Sequence, residues 1–192
     1  MHPFQSLHPA ETGGSCSMTA PPAAIETCRF ADDGATPNHP HFPVILMRGT
    51  PAAIADDPAA WLESRFTAHG WGACWRWGVY DYHHFHPDNH EVLGVSQGHA
   101  TLLLGGEKGQ EFKVTVGDVI ILPAGTGHEC LRSSADFQVV GAYPNSQEPA
   151  LIRSGETPLP AQRQRIPAVR LPQEDPVYGT GGPLCRHWKS PD

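Results

Sequence analysis

The sequence predicts an all-β domain, a sandwich or small barrel, with one helix before it. The first observation is the stretch 71–143, in which short apolar, β-branched segments alternate with glycine-containing turns, a pattern typical of sandwiches and small barrels. The second is a single amphipathic helical pattern, "DDPAAWLESRFTAHG". The third is the distribution of the twenty prolines, which gather towards the two ends of the chain.

These observations divide the chain into three segments. Residues 1–40 are predicted to be an irregular or partly disordered N-terminal extension, with Met18 as an alternative start. Residues 41–143 are predicted to form the β-barrel core, including the helix near 57–69. Residues 144–192 are rich in proline but contain Leu184 and Trp188, so we expect this segment to pack on the barrel or on a partner subunit.

The individual elements follow from local signals. "FPVILMRG" predicts a strand between a proline and a Gly-Thr-Pro turn. Asp57 is the expected N-cap of the helix, Pro58 lies in its first turn, and Gly70 ends it. "EFKVTV" alternates strictly and predicts a strand with one exposed face. Three further strands are predicted in "HATLLL", "DVIILP" and "DFQVVGAY".

Composition excludes several classes of protein. The net charge is −7 and the thirteen lysines and arginines form no basic run, so we expect no nucleic-acid or membrane partner and a small-molecule ligand instead. No apolar segment approaches the roughly 20 residues that cross a bilayer. The N-terminus lacks the pattern of a signal peptide. Five scattered cysteines without a CxxC pair suit a reducing compartment, which favours a cytoplasmic location.

Four of the twelve histidines lie within eight residues, in "HHFHPDNH". If residues 76–86 form one strand, His84 and His86 share a face about 6.6 Å apart, while His83 faces away. Glu91 follows the Asp-Asn turn and can return as an anionic oxygen ligand. Paired histidines with a carboxylate suit one divalent transition metal, namely iron, manganese, nickel or zinc. The plainer alternative is a hydrogen-bonded polar pair within a sheet.

His128 is a fourth candidate ligand. It ends the stretch "GDVIILPAGTGH", in which a Gly-Asp turn begins a strand and Pro123 begins a tight corner. Gly125 can adopt a positive φ there without steric cost. The corner therefore limits the paths open to the backbone and fixes the direction of the His128 side chain.

Both stretches resemble the motifs of the cupin superfamily. The matching positions are Gly78, His84, His86, Glu91 and Gly98 in the first motif, and Gly117, Pro123, Gly125 and His128 in the second. The second motif usually ends in asparagine four residues after its histidine. Arg132 stands there instead, which we expect to alter the rim of the pocket. The flanking segments are similar to the YjlB-like branch of bacterial monocupins.

The resemblance implies a cupin-type double-stranded β-helix, or jelly-roll barrel, that holds one metal ion inside. The implied ligands are His84, His86, Glu91 and His128. On a continuous strand, Arg76, Tyr80 and Tyr82 have the parity of the ligands and line the cavity. Arg132 has the same parity as His128 and could also point inward. An inward arginine needs a carboxylate partner, so Arg76 and Arg132 are candidate substrate-binding residues, or rim residues paired internally. Tyr80 and Tyr82 are candidate proton donors.

Three functions are compatible with such a site. The first is a small metalloenzyme, an oxygenase, isomerase or decarboxylase, that acts on a small polar metabolite with a carboxylate or carbonyl group, such as a sugar acid or keto acid. The second is a non-catalytic small-molecule-binding or regulatory protein, and the third is a metal that only stabilises the barrel. We also expect a homodimer. Trp71, Trp75 and Trp77 are interpreted as packing residues rather than a stacking platform.

Overall fold

The computed structural model describes residues 24–156 and 159–189. Met18 and most of the expected N-terminal extension lie outside these residues. In the described part of the chain, no helix combines the length and the apolar composition that crossing a bilayer requires.

Short β-strands make up most of the described chain. The strands are β1 Ala24–Cys28, β2 Val44–Arg48, β3 Trp71–Trp77, β4 His84–Phe85, β5 Glu91–Gln97, β6 His99–Leu104, β7 Gln110–Thr115, β8 Val119–Leu122, β9 His128–Ser133, β10 Gln138–Pro144 and β11 Ile152–Arg153. The helices are α1 Pro58–Ala68, α2 Leu159–Arg165 and α3 Pro183–His187, with 3-10 turns at Pro51–Ile54 and Ile166–Ala168. Strand β1 lies within the stretch 1–40, where we expected irregular chain.

The strands form two antiparallel sheets. The larger sheet has the order β1-β2-β8-β5-β10-β3 and the smaller has the order β11-β4-β9-β6-β7. Among the described residues no strand of one sheet is hydrogen-bonded to a strand of the other. One buried apolar cluster contains residues of both sheets, so the two sheets pack face to face around a shared core. This arrangement confirms the prediction of an all-β jelly roll of the cupin type.

The larger sheet is buried on both faces. One face packs against the smaller sheet through residues such as Leu93, Leu102 and Ile120. The other face packs against α1 and the C-terminal segment through Phe66 and Trp188, among others. Burial on both faces explains why the central strands β2 and β8 read as continuous apolar runs rather than as alternating patterns. Strand β7 has one exposed face and alternates as expected.

Helix α1 begins and ends where the sequence indicates. The Asp57 side chain accepts a hydrogen bond from the N–H of Ala60 at 3.0 Å, which satisfies a donor of the first turn. Gly70 follows the helix with φ +78°, a conformation that glycine adopts without a Cβ penalty. Leu62 and Phe66 are fully buried and hold the helix against β5 and β10.

The C-terminal segment packs on its own chain. Trp188 is 4% exposed, and its indole N–H donates to the carbonyl of Pro43 at 2.9 Å. The Asp175 carboxylate is fully buried and accepts hydrogen bonds from the N–H groups of Val177, Tyr178 and Leu184. These contacts fix the segment against the face of the larger sheet that carries α1.

Candidate metal centre

Four predicted side chains meet between the two sheets. His84 lies on β4 opposite His128, the first residue of β9. His86 follows β4 by one residue, and Glu91 is the first residue of β5. All four are buried, with exposures of 3 to 8%. One ring nitrogen from each of the three histidines lies within 4.8 Å of one from each of the others.

Each histidine is oriented by a backbone carbonyl. The Nδ1 atom of His84 lies 3.1 Å from the carbonyl oxygen of Tyr82, that of His86 lies 2.8 Å from Ala150, and that of His128 lies 3.0 Å from Thr126. A carbonyl oxygen only accepts, so Nδ1 carries the hydrogen in all three rings. The Nε2 atoms of the neutral rings are then free to bind an ion, and such outer hydrogen bonds are typical of metal-ligating histidines.

The Glu91 carboxylate faces these free nitrogens. Its Oε2 atom lies 3.4 Å from Nε2 of His86 and 3.2 Å from Nε2 of His128. This oxygen is buried and has no hydrogen-bond donor in the described structure. Lone pairs on neutral imidazoles and on a carboxylate repel one another when they are buried together, and a cation between them removes this cost. The donor set therefore fits a divalent transition metal.

Without an ion, protons would have to compensate the carboxylate. Burial acts to lower the pKa of His86, but the charge of Glu91 and the hydrogen bonds to Glu91 and Ala150 together outweigh it, and the pKa is raised. Burial acts to raise the pKa of Glu91, but His86 and His128 together reverse this and lower it. His84 is different because burial, together with the charge of His128, lowers its pKa to about 2. The neutral imidazole that a metal requires is thus already favoured at His84.

The proline corner positions His86 and His128 together. The N–H of Gly125 donates to the carbonyl of His86 at 2.7 Å. Gly125 has φ +85°, and an added Cβ would come within 2.6 Å of Ile166 Cδ1. Only glycine fits this position, so the corner predicted from the sequence holds the two ligand segments at a fixed distance.

The four side chains form the floor of an open cavity of about 320 Å³. Above the floor the wall is mainly aromatic and aliphatic, with one acidic residue. The residues of this upper wall include Trp75, Trp77, Val79, Tyr80, Leu93, Tyr143, Glu148 and Leu151. A ligand in this cavity can therefore reach the metal floor from solvent.

Arg76 does not line this cavity, and the expected continuous strand 76–86 is wrong. Strand β3 ends at Trp77, and the next strand residue is His84. Trp75 and Trp77 face the cavity, so Arg76 between them faces the other way. Its guanidinium forms two hydrogen bonds of 2.7 Å to the carboxylate of Glu63 on α1.

Arg132 also lies outside the cavity. Its side chain is 63% exposed and pairs with Glu111 of β7 at 3.2 Å. Parity from His128 fails here because the pairing of β9 with β6 shifts register between Thr101 and Leu102, and such a bulge reverses the sense of alternation. The expectation that Arg132 points inward with His128 is therefore wrong. Both arginines bind carboxylates of the protein, in agreement with the alternative that they are paired internally.

The two candidate tyrosines occupy different positions. Tyr80 lines the cavity and is 48% exposed. Tyr82 lies behind it, with the two rings stacked at 4.8 Å, and the guanidinium of Arg153 lies 3.8 Å from the centroid of Tyr82. Tyr80 therefore remains a candidate proton donor, whereas Tyr82 packs against the Tyr80 ring and does not line the cavity.

Tyr143 is a cavity residue that the sequence did not suggest. Its hydroxyl accepts a hydrogen bond from the indole N–H of Trp75 at 2.9 Å. Burial raises its pKa, and the nearby Glu91 carboxylate raises it further, so the phenol retains its proton. The available signal was weak, because Tyr143 lies 52 residues after Glu91 and only the pairing of β10 with β3 and β5 brings it near.

The other clustered histidines lie outside the metal floor. His83 faces Glu129, with 3.4 Å between Nδ1 and Oε1. His90 is fully buried, and its Nδ1 atom accepts the N–H of Ala124 at 2.9 Å, so it supports the proline corner. Among the tryptophans, Trp71 packs in the core as expected, while Trp75 and Trp77 line the cavity.

No protein-family model matches the sequence. The chain is 38% identical over 167 residues to a Bacillus subtilis (strain 168) protein named "Uncharacterized protein YjlB", a match that covers 85% of this chain and 96% of the relative. Similar solved structures include acireductone dioxygenase from Bacillus anthracis, at 20% identity over 47% of this chain and 61% of that chain, with a TM-score of 0.35. Oxalate decarboxylase from Lactobacillus farciminis is 12% identical over 70% of this chain and 32% of that chain, also with a TM-score of 0.35. These TM-scores are too low to support an argument about this chain.

The two motifs, the two facing antiparallel sheets and the buried three-histidine cluster define a cupin. Within that class, the extent and identity of the match to the Bacillus subtilis protein show that the chain belongs to the YjlB family. That relative's name states no activity, so the function has to be argued from the site itself.

Proposed function

We propose that this protein is a small metalloenzyme that binds one divalent transition metal through His84, His86, Glu91 and His128. It acts on a small molecule that carries a carboxylate or carbonyl oxygen. The single observation that carries this proposal is the meeting of four buried acceptor groups at the floor of an open cavity. Iron, manganese, nickel and zinc all suit this donor set.

When bound, the metal would supply Lewis-acid polarisation of a ligand oxygen, or redox chemistry if it is iron. The chain supplies the remaining functions. Tyr143 keeps a hydroxyl proton beside Glu91, and Tyr80 presents a second hydroxyl at the cavity wall. The upper wall is mainly apolar, so a ligand that fills the cavity would displace water from the floor, which strengthens electrostatic interactions there.

Two other functions are weaker alternatives. A non-catalytic binding protein would use the same cavity. It is favoured by the scarcity of acid–base groups there, since Tyr80, Tyr143 and Glu148 are the only titratable residues besides the four candidate ligands among the described residues that line the cavity. A purely structural metal is disfavoured because the ligands face an open cavity. Turnover of a keto, hydroxy or sugar acid by the metal-loaded protein, with and without oxygen, separates the enzyme from the binder.

Elemental analysis of protein purified without added metal tests the metal site. We expect His86→Ala, His128→Ala and Glu91→Gln each to retain less than a tenth of the wild-type metal, because removal of a ligand costs more than the 10- to 100-fold typical of outer-shell partners. His83→Ala is the neighbouring control and His99→Ala is an exposed control. Equal metal loss in the controls would contradict the assignment.

We further propose that the protein is a homodimer. The apolar residues of the C-terminal segment do not support a dimer, because Leu184 and Trp188 are buried within the same chain. Strand β1 supports the proposal, since among the described residues it forms one edge of the larger sheet, and an edge strand can pair with a strand of another chain. Light scattering should give twice the chain mass of 20.8 kDa, and a monomeric mass would refute a dimer.

We also propose a cytoplasmic location. It is supported by the four cysteines of the described chain, all of which are free thiols, as expected in a reducing compartment. Fractionation of cells that express the protein, with probing of each fraction, tests this directly. Recovery in a secreted fraction would contradict it.

A further inference from the structure

The upper wall of the cavity has a composition that the proposed reaction does not explain. Four aromatic residues, which we call the collar, stand above the metal floor: Trp75, Trp77, Tyr80 and Tyr143. None of the described residues that line the cavity is a lysine or an arginine, and Glu148 adds a carboxylate at the mouth. Aromatic faces and a carboxylate both attract cations, and neither attracts a second anionic group.

Part of the collar is held in place before any ligand arrives. The indole N–H of Trp75 donates to the hydroxyl of Tyr143, so two collar rings are joined across β3 and β10. Trp75 lies opposite Gly141 in this strand pair, and its ring occupies the space that a Cβ of Gly141 would take. The ring therefore lies against backbone and cannot easily turn away, which reduces the entropy lost on binding.

The rest of the collar is exposed at the mouth. Trp77 is 72% exposed and Tyr80 is 48% exposed, and Leu151 beside them is 41% exposed. Large apolar side chains grouped around an opening mark a binding site more often than an ordinary surface. Arg153 lies over the Tyr82 ring and does not line the cavity, so no arginine or lysine of the described chain lines the collar.

We propose that the collar binds the alkylated ammonium end of a small zwitterionic or cationic ligand, while an oxygen group at the other end of that ligand reaches the metal floor. The ammonium end is recognised by the aromatic faces and by the charge of Glu148. The oxygen end rests on the proposed function, whereas the ammonium end depends only on the collar. This ligand class replaces a substrate clamped by arginine, because Arg76 and Arg132 are bound to Glu63 and Glu111.

A pair of isosteric probes tests the collar. Glycine betaine and 3,3-dimethylbutanoate share a carboxylate head and a branched tail of the same shape, and differ in the positive charge of the tail. Calorimetry on metal-loaded protein should show betaine binding about tenfold more tightly, which corresponds to about 1.4 kcal/mol. Equal affinity, or tighter binding of 3,3-dimethylbutanoate, would overturn the proposal, as would tighter binding of the dianion succinate.

Two variants assign this preference to named residues. Trp77→Leu keeps an apolar side chain but removes the π face, so it should weaken betaine several-fold and leave 3,3-dimethylbutanoate nearly unchanged. Glu148→Gln should likewise reduce the preference. Trp61→Leu on α1 and Glu107→Gln in the β6–β7 turn make the same changes outside the cavity and should have no effect. A preference that survives both cavity variants would contradict the role of the collar.

Tetramethylammonium separates this proposal from the metal site. It has no oxygen donor and needs no metal, so it should bind the metal-free wild-type protein, and Trp77→Leu should weaken that binding. If the protein takes up no metal but this result holds, the proposed function fails and the collar stands. If metal binds and tetramethylammonium shows no binding that depends on Trp77, the collar fails and the metal site stands.

Discussion

Two buried groups of histidines lie in this domain, and they differ in two respects. In the metal floor, each Nδ1 faces a carbonyl, and the Nε2 atoms of His86 and His128 face Glu91. In the second group, His39 stacks on Phe42 at 4.4 Å, and the ring of His90 lies 4.8 Å from that of Trp188. There Nδ1 of His39 accepts two backbone N–H groups. The histidine–carboxylate pairs of the described structure involve His83, His86 and His128 instead of His39 or His90.

The comparison shows what distinguishes a metal site from a structural one. The histidines of both groups are buried, and neighbouring rings lie at similar distances, 5.7 Å between His84 and His86 and 6.2 Å between His39 and His90. What differs is the partner of Nδ1, which determines which ring nitrogen carries the hydrogen, and the presence of a carboxylate that faces the other nitrogen. The second group also helps to position a candidate ligand, because His90 accepts the N–H of Ala124 in the corner that precedes His128.

Metal removal should produce the largest difference between the two groups. An ion that binds only the folded state at a thousandfold excess over its Kd adds about 4 kcal/mol to the free energy of unfolding. We expect this gain in the wild type and in His39→Asn, and none in His128→Ala. Denaturant titration with metal and with a chelator measures it. A metal-dependent gain that His39→Asn abolishes would show that the groups have been assigned the wrong way round.

Acid should destabilise the protein through the second group. Burial, with a contribution from His41, lowers the pKa of His39 to about 4, whereas an unfolded histidine titrates near pH 6.5. Between these values the unfolded chain binds more protons, so stability falls as the pH drops from about 6.5 to 4, by up to about 3 kcal/mol. Below pH 4 the contribution of His39 is fully lost.

His39→Asn is the matched test of this pH effect. The Asn oxygen can accept the same backbone N–H groups as Nδ1, but it does not titrate. The unfolding free energy of the metal-free variant should therefore depend less steeply on pH in this window, by about 1.4 kcal/mol per pH unit. Identical slopes for wild type and variant would rule out His39 as the source.

The smallest effect should come from Trp188→Phe. The change keeps an aromatic ring against Phe42 and His90 but removes the hydrogen bond to the carbonyl of Pro43. We expect a loss of about 1–2 kcal/mol in the free energy of unfolding, from the unmade hydrogen bond and the smaller ring. Metal affinity should not change. A large loss of metal would mean that the two groups are coupled more tightly than their contacts indicate.

The candidate ligands could be predicted because their spacing is local. His84, His86 and Glu91 span eight residues, and the Pro-Ala-Gly corner fixes His128. The directions of the Arg76 and Arg132 side chains could not be predicted, because the alternation of side chains between two faces holds only along an unbroken strand. The break after Trp77 and the register shift in β9 depend on pairing with distant strands. The position of Tyr143 in the cavity could not be predicted for the same reason, since it depends on the pairing of β10 with β3 and β5.

The metal floor itself is tested most directly by anomalous diffraction from crystals of metal-loaded protein. A single peak should lie about 2.0–2.2 Å from the Nε2 atoms of His84, His86 and His128 and from one oxygen of Glu91. If the peak lies elsewhere, or if the loaded protein shows none in this cavity, the four side chains do not form a metal site.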